Sequence, residues 1–116
     1  MTIQEYYTST GVDFQNTLRR LGSEERLRKY LSKILEDNNF EMLLNALNAG
    51  NYKDAFLAVH SLKGICLNLD LLPLLRSSSA LADNLRDGQS SSDTDRLFKQ
   101  VETDYQNTMS DLKKIL

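Results

Sequence analysis

The only histidine of the chain is the side chain best suited to nucleophilic chemistry. His60 lies in the run Ala-Val-His-Ser-Leu-Lys-Gly at positions 58–64. An imidazole in water is largely neutral at pH 7, so one ring nitrogen keeps a lone pair that can attack an electrophile. Lys63 offers a mobile cation nearby, and Gly64, which costs a helix about 1 kcal/mol relative to alanine, leaves space one turn away. These three residues are a candidate site for attaching an anionic group.

Helical spacing predicts that this imidazole faces solvent. At about 100° per residue, the inward positions lie on one side and His60 points to the other. The inward positions are Ala55, Ala58, Leu62, Ile65 and Leu69. Within two turns on the outer side stand Lys53, Phe56, Leu57, Lys63, Gly64 and Leu67. Apolar groups are costly to leave in water, so either a partner covers them or, for Phe56 and Leu57, the flanking helices or the N-terminal segment do.

The elements that hold this site are predicted to be helices throughout. Nearly every apolar residue recurs at intervals of three or four, β-branched runs are absent, and one proline and five glycines interrupt the chain. Short helices at about 3–7 and 13–21 are expected to form a lid, residues 1–22. Ser23 is a good N-cap for the next helix. Asn38 and Asn39 weaken the pattern before Gly50, and the sequence does not decide between one bent helix and two.

Capping signals delimit the helix that carries the histidine and the one after it. Asn51 is the predicted N-cap of the first, which should run to about Leu69. Asp70 is the expected N-cap of the following helix, because Pro73 is tolerated only in a first turn. Gly88 should end that helix.

The last helix is predicted to follow a polar loop at 88–92, with Ser92 and Asp95 as its capping signal. Six positions alternate spacings of three and four, as in a bundle seam; they are Phe98, Val101, Tyr105, Thr108, Leu112 and Ile115. The expected fold is therefore all-α, an antiparallel four-helix bundle with up-down topology over residues 23–116, plus the short N-terminal helices.

Composition narrows the function classes. The 116 residues match a single domain, and the net charge of -2 with a pI of about 5.3 argues against a nucleic-acid partner. Cys66 has no second thiol for a disulfide or a zinc site. Residues 1–10 show no secretory leader, and no apolar run is long enough to span a bilayer. We expect a cytoplasmic protein with no membrane partner.

The run His-Ser-Leu-Lys-Gly at 60–64 resembles the signature of histidine-containing phosphotransfer domains. The resemblance covers nearly the whole chain, through Leu18, Leu21, Gly22, Gly50, Asn51, Ala58, Asn68, Leu69, Leu74 and Leu81. The chain departs from the family pattern at three positions. Leu67 and Asp70 stand where members often carry glycine, and Ala82 stands where a glutamate or glutamine is common.

The resemblance implies a phosphocarrier. His60 would accept a phosphoryl group from the aspartyl phosphate of one receiver domain, such as that of a hybrid sensor histidine kinase, and pass it to the receiver aspartate of a response regulator. Lys63 would offset the added charge and Gly64 would leave room for the phosphoryl oxygens. The predicted partner-binding residues are Lys53, Phe56, Leu57, Leu67, Leu71 and Arg86. We predict no metal or cofactor on this chain, with Mg²⁺ supplied by the receiver.

The sequence leaves two other hypotheses about function open. A helical adaptor could use the patch of Phe56 and Leu57 to bind a partner independently of phosphorylation, with His60 a bystander. The phosphoacceptor part of a sensor kinase would form a tight dimer, whereas a phosphotransfer bundle is expected to be a monomer. No Gly-x-x-x-x-Gly-Lys run accompanies the histidine, so autonomous kinase activity is not expected.

Overall fold

The computed structural model describes all 116 residues, and they form seven helices. These are α1 (Ile3–Ser9), α2 (Phe14–Leu21), α3 (Glu24–Ile34), α4 (Asn39–Asn48), α5 (Tyr52–Leu69), α6 (Leu72–Leu85) and α7 (Thr94–Ile115). No strand is present, which confirms the all-α prediction. None of the seven helices combines the length and the apolar character needed to cross a lipid bilayer.

Helices α4 to α7 form the bundle. Each packs against the next along the chain, and short connections reverse the chain direction between them, so the topology is up-down. An aromatic stack joins α4 to α7: the ring centroid of Phe40 lies 4.2 Å from that of Tyr105 and 5.9 Å from that of Phe98. The predicted helical bundle is confirmed.

The predicted inward stripe of α5 lies in the core. Ala55, Ala58, Leu62 and Leu69 are buried, and Ile65 is half-buried against the same cluster. Asn51 caps the helix as expected, its side-chain oxygen accepting the backbone N–H of Asp54. Burial of one full face therefore fixes α5 in rotation about its own axis.

The segment from 23 to 50 forms two helices. The Ser23 hydroxyl accepts the backbone N–H of Arg26, so α3 begins where predicted. It ends at Ile34, and a turn follows in which the Asp37 carboxylate accepts the backbone N–H of Asn39 at 2.9 Å. That local bond competes with continuous helix and opens α4 in a new direction.

The start of α7 differs from the prediction. Its first helical residue is Thr94, and neither Ser92 nor Asp95 caps it. The Thr94 hydroxyl instead accepts the backbone N–H of Ser91 at 2.8 Å and donates to the side-chain oxygen of Asn84 at 2.7 Å. A bond across to α6 thus fixes the start of the helix, and spacing along the chain does not reveal such a bond.

Helices α1 and α2 pack against the C-terminal end of α5. The buried Tyr7 hydroxyl donates to the backbone oxygen of Leu69 at 2.7 Å. Arg20 donates from Nη1 to the backbone oxygen of Asn68 at 2.8 Å. Two carbonyls that have no partner within the last turn of α5 are satisfied in this way by residues far away in sequence.

Asp70 was predicted as the N-cap of α6, and that prediction is wrong. It is the C-cap of α5 and adopts the left-handed conformation with φ 53°. Its carboxylate accepts from Thr17 Oγ1 at 2.6 Å and from Arg20 Nη2 at 2.7 Å, so it faces α2 and cannot cap α6. Leu71 takes the N-cap position without a side-chain bond, and Pro73 lies in the first turn as predicted.

Candidate functional site

His60 lies near the middle of α5 on the side opposite the core. Its neighbours Val59 and Leu62 are fully buried, whereas His60 is exposed, as the spacing predicts. The imidazole stacks against the ring of Phe56 one turn earlier, with a centroid separation of 5.5 Å and an angle of 22° between the planes. A helix with one buried face therefore presents the imidazole to solvent in a position that a neighbouring ring supports.

No packing contact within the chain requires a glycine at position 64. The other four glycines, Gly11, Gly22, Gly50 and Gly88, all have positive φ and serve turns. Gly64 is helical, and a Cβ added there would meet no atom within 4 Å. Because alanine would be the better helix residue at such a position, the open space one turn beyond His60 is the distinctive property of this glycine.

Between His60 and the end of α5 at Leu69, Lys63 is the charged side chain and Cys66 is the thiol. Lys63 is half-buried. It follows His60 by three residues, so its side chain leaves α5 on the same side of the helix. Cys66 is fully buried, and burial raises the pKa of its thiol to about 12. The thiolate is therefore scarce at neutral pH, and His60 is the nucleophile that a visiting molecule can reach.

Apolar side chains surround the imidazole on the exposed side of α5. Leu57 is 61% exposed and Leu67 is 56% exposed, while Phe56 is half-buried. Neither the flanking helices nor the N-terminal segment covers the two leucines. We call Phe56, Leu57, His60, Gly64 and Leu67 the histidine face.

A shallow groove continues the histidine face toward α6. It is lined by Lys53, Phe56, Leu57, Arg86, Asp87 and Gly88. Lys53 and Arg86 are both exposed, and Arg86 pairs with Asp83 on its own helix. The structure thus brings together four of the predicted partner-binding residues from two helices.

Two of the residues singled out in the sequence lie in the core. Leu71 is 0% exposed, so its prediction as a partner-binding residue is wrong: the tight turn between α5 and α6 folds it inward. Ala82 is 2% exposed in the packed face of α6. A longer polar side chain at position 82 would have to displace core atoms.

Sequence reasoning missed a second groove, between α4 and α5 on the other flank of Leu57. It is lined by Asn39, Met42, Asn45, Ala46, Ala49, Asn51, Asp54, Leu57, Ala58 and Ser61. Met42 is 50% exposed there. Met42 directly precedes the inward-facing Leu43, so helical spacing places Met42 on the outer side of α4. That spacing is the signal that could have revealed the groove.

The described residues contain no group of three or more histidine, cysteine, aspartate or glutamate side chains placed to hold a metal ion. The chain's chemistry at this face thus rests on an imidazole, an ammonium group and open space. Such a set can form a bond to an anionic group and balance part of its charge.

Comparison with known proteins agrees with this geometry. The family described as Hpt domain matches residues 25–112, which include α4 to α6, most of α7 and the histidine face. Comparison with curated proteins and with solved structures finds no match. The chain belongs to the Hpt domain family, whose members carry out histidine phosphotransfer in two-component phosphorelays.

Proposed function

We propose that this chain is a phosphocarrier in which His60 accepts a phosphoryl group from a receiver aspartyl phosphate and passes it to the aspartate of another receiver. The donor would be the receiver domain of a hybrid sensor histidine kinase, and the acceptor a response regulator. The observation that carries this proposal is the exposed imidazole, one turn from a helical glycine with open space beside it, on a helix whose opposite face is buried.

The transfer needs little covalent chemistry from the protein. The lone pair of one ring nitrogen attacks phosphorus, an N–P bond forms, and the P–O bond of the acyl phosphate breaks to release the donor carboxylate. In the onward step, an aspartate oxygen of the second receiver attacks phosphorus and the imidazole leaves. Phosphoryl transfer depends mainly on alignment and on charge neutralisation.

Each nearby residue has a defined part in that scheme. Lys63 would balance the charge of the phosphoryl oxygens, and the space at Gly64 would receive them. The stack with Phe56 would limit rotation of the imidazole and so reduce the entropy lost on alignment. Leu57 and Leu67 would be covered by the receiver, which removes exposed apolar surface from water.

The Mg²⁺ ion that phosphoryl transfer uses would come with the receiver. This ion prefers carboxylate oxygens and phosphate groups, and the histidine face has no carboxylate cluster to hold it. We therefore propose that the chain works without a cofactor of its own. We also propose that it acts in the cytoplasm and has no autonomous kinase activity.

The test is to incubate the chain with a phosphorylated cognate receiver or hybrid kinase. We expect acid-labile phosphate on the wild type and none on His60→Gln, with the folded state of both checked by circular dichroism. Because the chain has only one imidazole, this single variant removes every histidine. Acid-labile label on His60→Gln, or no label on the wild type from any cognate donor, would contradict the proposal.

The exposed apolar surface of Leu57 and Leu67 also suits an adaptor that binds its partner independently of phosphorylation. That second candidate predicts that His60→Gln leaves partner binding and phenotype unchanged. A carrier predicts that the variant still binds the receiver but no longer relays phosphate in the cell, so the phenotype separates the two candidates.

We propose that the free chain is a monomer. A single copy of the chain buries the apolar faces of α4 to α7 in one core. A helical hairpin, in contrast, needs a second hairpin to bury its apolar face. Sedimentation equilibrium at micromolar concentration should give a single species near the chain mass of 13.2 kDa. A tight dimer would instead favour the hypothesis that the chain is the phosphoacceptor part of a sensor kinase.

A further inference from the structure

Positive charge is concentrated in one short stretch of this mildly acidic chain. Residues 19–33 hold six cations and two carboxylates, a net charge of +4, whereas the remaining residues hold eight cations and fourteen carboxylates, a net charge of -6. The six cations are Arg19, Arg20, Arg26, Arg28, Lys29 and Lys33, and all six are exposed. We call residues 19–33, which span the α2–α3 hairpin, the basic flank.

Three of these cations lie on one side of α3. Arg26, Lys29 and Lys33 are spaced by three and four residues, which places them on a common helix face. The opposite side packs into the core through Leu27, Leu31 and Ile34. The three charges therefore project together away from the core.

Most of the basic flank is free of internal ion pairs. Arg20 pairs with Asp70, and Arg28 pairs with Glu24 at 3.7 Å on its own helix. The other four cations form no salt bridge within the chain. A concentration of uncompensated charge of one sign produces a field that extends about a Debye length into solvent, about 8 Å at physiological ionic strength.

The basic flank adjoins the helix that carries the histidine. Arg20 and Lys33 line a hollow of about 410 Å³ together with Ile65 and Asn68 of α5. Asn68 follows His60 by eight residues, a rise of about 12 Å along the helix. A partner the size of a small domain seated on the histidine face would therefore come within reach of these charges.

We propose that the basic flank steers an anionic receiver domain onto the histidine face, an inference that rests on the proposed function. A receiver that carries an aspartyl phosphate and holds Mg²⁺ through carboxylates presents negative charge around its reacting group. The cations of α2 and α3 attract that surface before contact and favour the approach in which it faces α5. Such steering raises the association rate and leaves the chemical step unchanged.

The experiment compares two triple variants that make the same change in net charge. The first, Arg26→Glu with Lys29→Glu and Lys33→Glu, reverses the basic flank. The control, Lys99→Glu with Lys113→Glu and Lys114→Glu, reverses three exposed cations of α7. The second-order rate constant for phosphoryl transfer from a phosphorylated receiver is measured at low and at high ionic strength, and the folded state of each variant is checked by circular dichroism.

We expect the flank variant to transfer about tenfold more slowly at low ionic strength and to approach the wild-type rate constant at about 0.5 M salt, where the field is screened. The control should change less than twofold. The transfer rate at saturating receiver should be the same for all three proteins, because the steering acts before the chemical step.

Equal effects of the two triple variants, or an effect that salt does not remove, would overturn the inference while leaving the proposed function intact. Absence of transfer by the wild type would overturn the proposed function and this inference with it. Unchanged transfer by the flank variant, combined with lost binding to phosphatidylserine vesicles or to duplex DNA, would reassign the flank to a different anionic partner.

Discussion

At the scale of single residues, Gly64 offers a change with opposite effects on fold and function. An alanine methyl at position 64 meets no atom of the chain within 4 Å and improves the helix, so Gly64→Ala should raise the free energy of unfolding by about 1 kcal/mol. The same methyl enters the space assigned to the phosphoryl oxygens. We expect phosphoryl transfer through His60 to slow by about tenfold, equivalent to about 1.4 kcal/mol in the barrier.

Urea unfolding and single-turnover transfer measure the two effects of Gly64→Ala. Ser110→Ala serves as the matched control, because Ser110 is an exposed helical residue of α7 and gains helix propensity without approaching α5. A Gly64→Ala protein that is stabilised and fully active would show that the space beside His60 has no role in transfer.

Single positions also show where sequence reasoning ends. The exposure of His60 and Leu67 was predictable, because one helix face of α5 is uniformly apolar and these residues lie off it, whereas the sequence left open whether other helices cover Leu57. The burial of Leu71 was not, since it follows from how one turn folds back on the core. The same holds for Asp70, whose left-handed backbone and bonds to α2 depend on residues about fifty positions away.

At the scale of elements, helical spacing predicted α5, α6 and α7 but not every helix end, and it left open whether residues 23–50 form one bent helix or two. The extent of α5 and the position of Pro73 in α6 follow from local capping chemistry and are confirmed. The start of α7 depends on the bond from Thr94 to Asn84, across two helices, and the sequence alone gave a different cap. Ends that are fixed locally are therefore predictable, and ends fixed by tertiary contacts are not.

The attachment of α1 to the end of α5 leads to a stability prediction. The Tyr7 hydroxyl is buried and donates to the Leu69 carbonyl, so Tyr7→Phe leaves that buried oxygen without this donor. We expect a loss of about 1–2 kcal/mol in the free energy of unfolding, measured by urea denaturation. Tyr52→Phe is the control, because Tyr52 is half-buried at the start of α5.

Hydrogen exchange adds a local readout to that comparison. The backbone N–H of Leu71 bonds to the carbonyl of Cys66 in the turn that ends α5, so its exchange should quicken in Tyr7→Phe and stay unchanged in Tyr52→Phe. Equal stability of the two variants would show that the hydroxyl of Tyr7 contributes nothing beyond the packing of its ring.

At the scale of the whole molecule, buried groups make the fold sensitive to alkali. Burial raises the pKa of the Cys66 thiol from 9.0 to about 12, and burial raises the pKa of Tyr7 above its ordinary value of 10.0. Above pH 9 the unfolded chain loses these protons while the folded chain keeps them. The contribution of these two groups to the free energy of unfolding should therefore be constant below about pH 9 and fall as the pH rises toward 12.

Urea midpoints at pH 7, 9 and 10.5 check this behaviour. One retained proton changes the free energy of unfolding by about 1.4 kcal/mol per pH unit, so Cys66→Ala should have a shallower decline above pH 9 than the wild type. An identical pH profile for the two proteins would mean that the thiol ionises as readily in the folded chain as in the unfolded one.

The bonds from Tyr7, Thr17 and Arg20 to the end of α5 bear on where the functional unit can be cut. The family match begins at residue 25, yet all three of these side chains precede it and hold the last turn of α5 and its C-cap. A fragment trimmed to residues 25–112 would open the apolar surface that Tyr6 and Phe14 now cover and free the end of α5 to fray. We therefore expect the smallest part of this chain that folds stably to be larger than the portion that the family match covers.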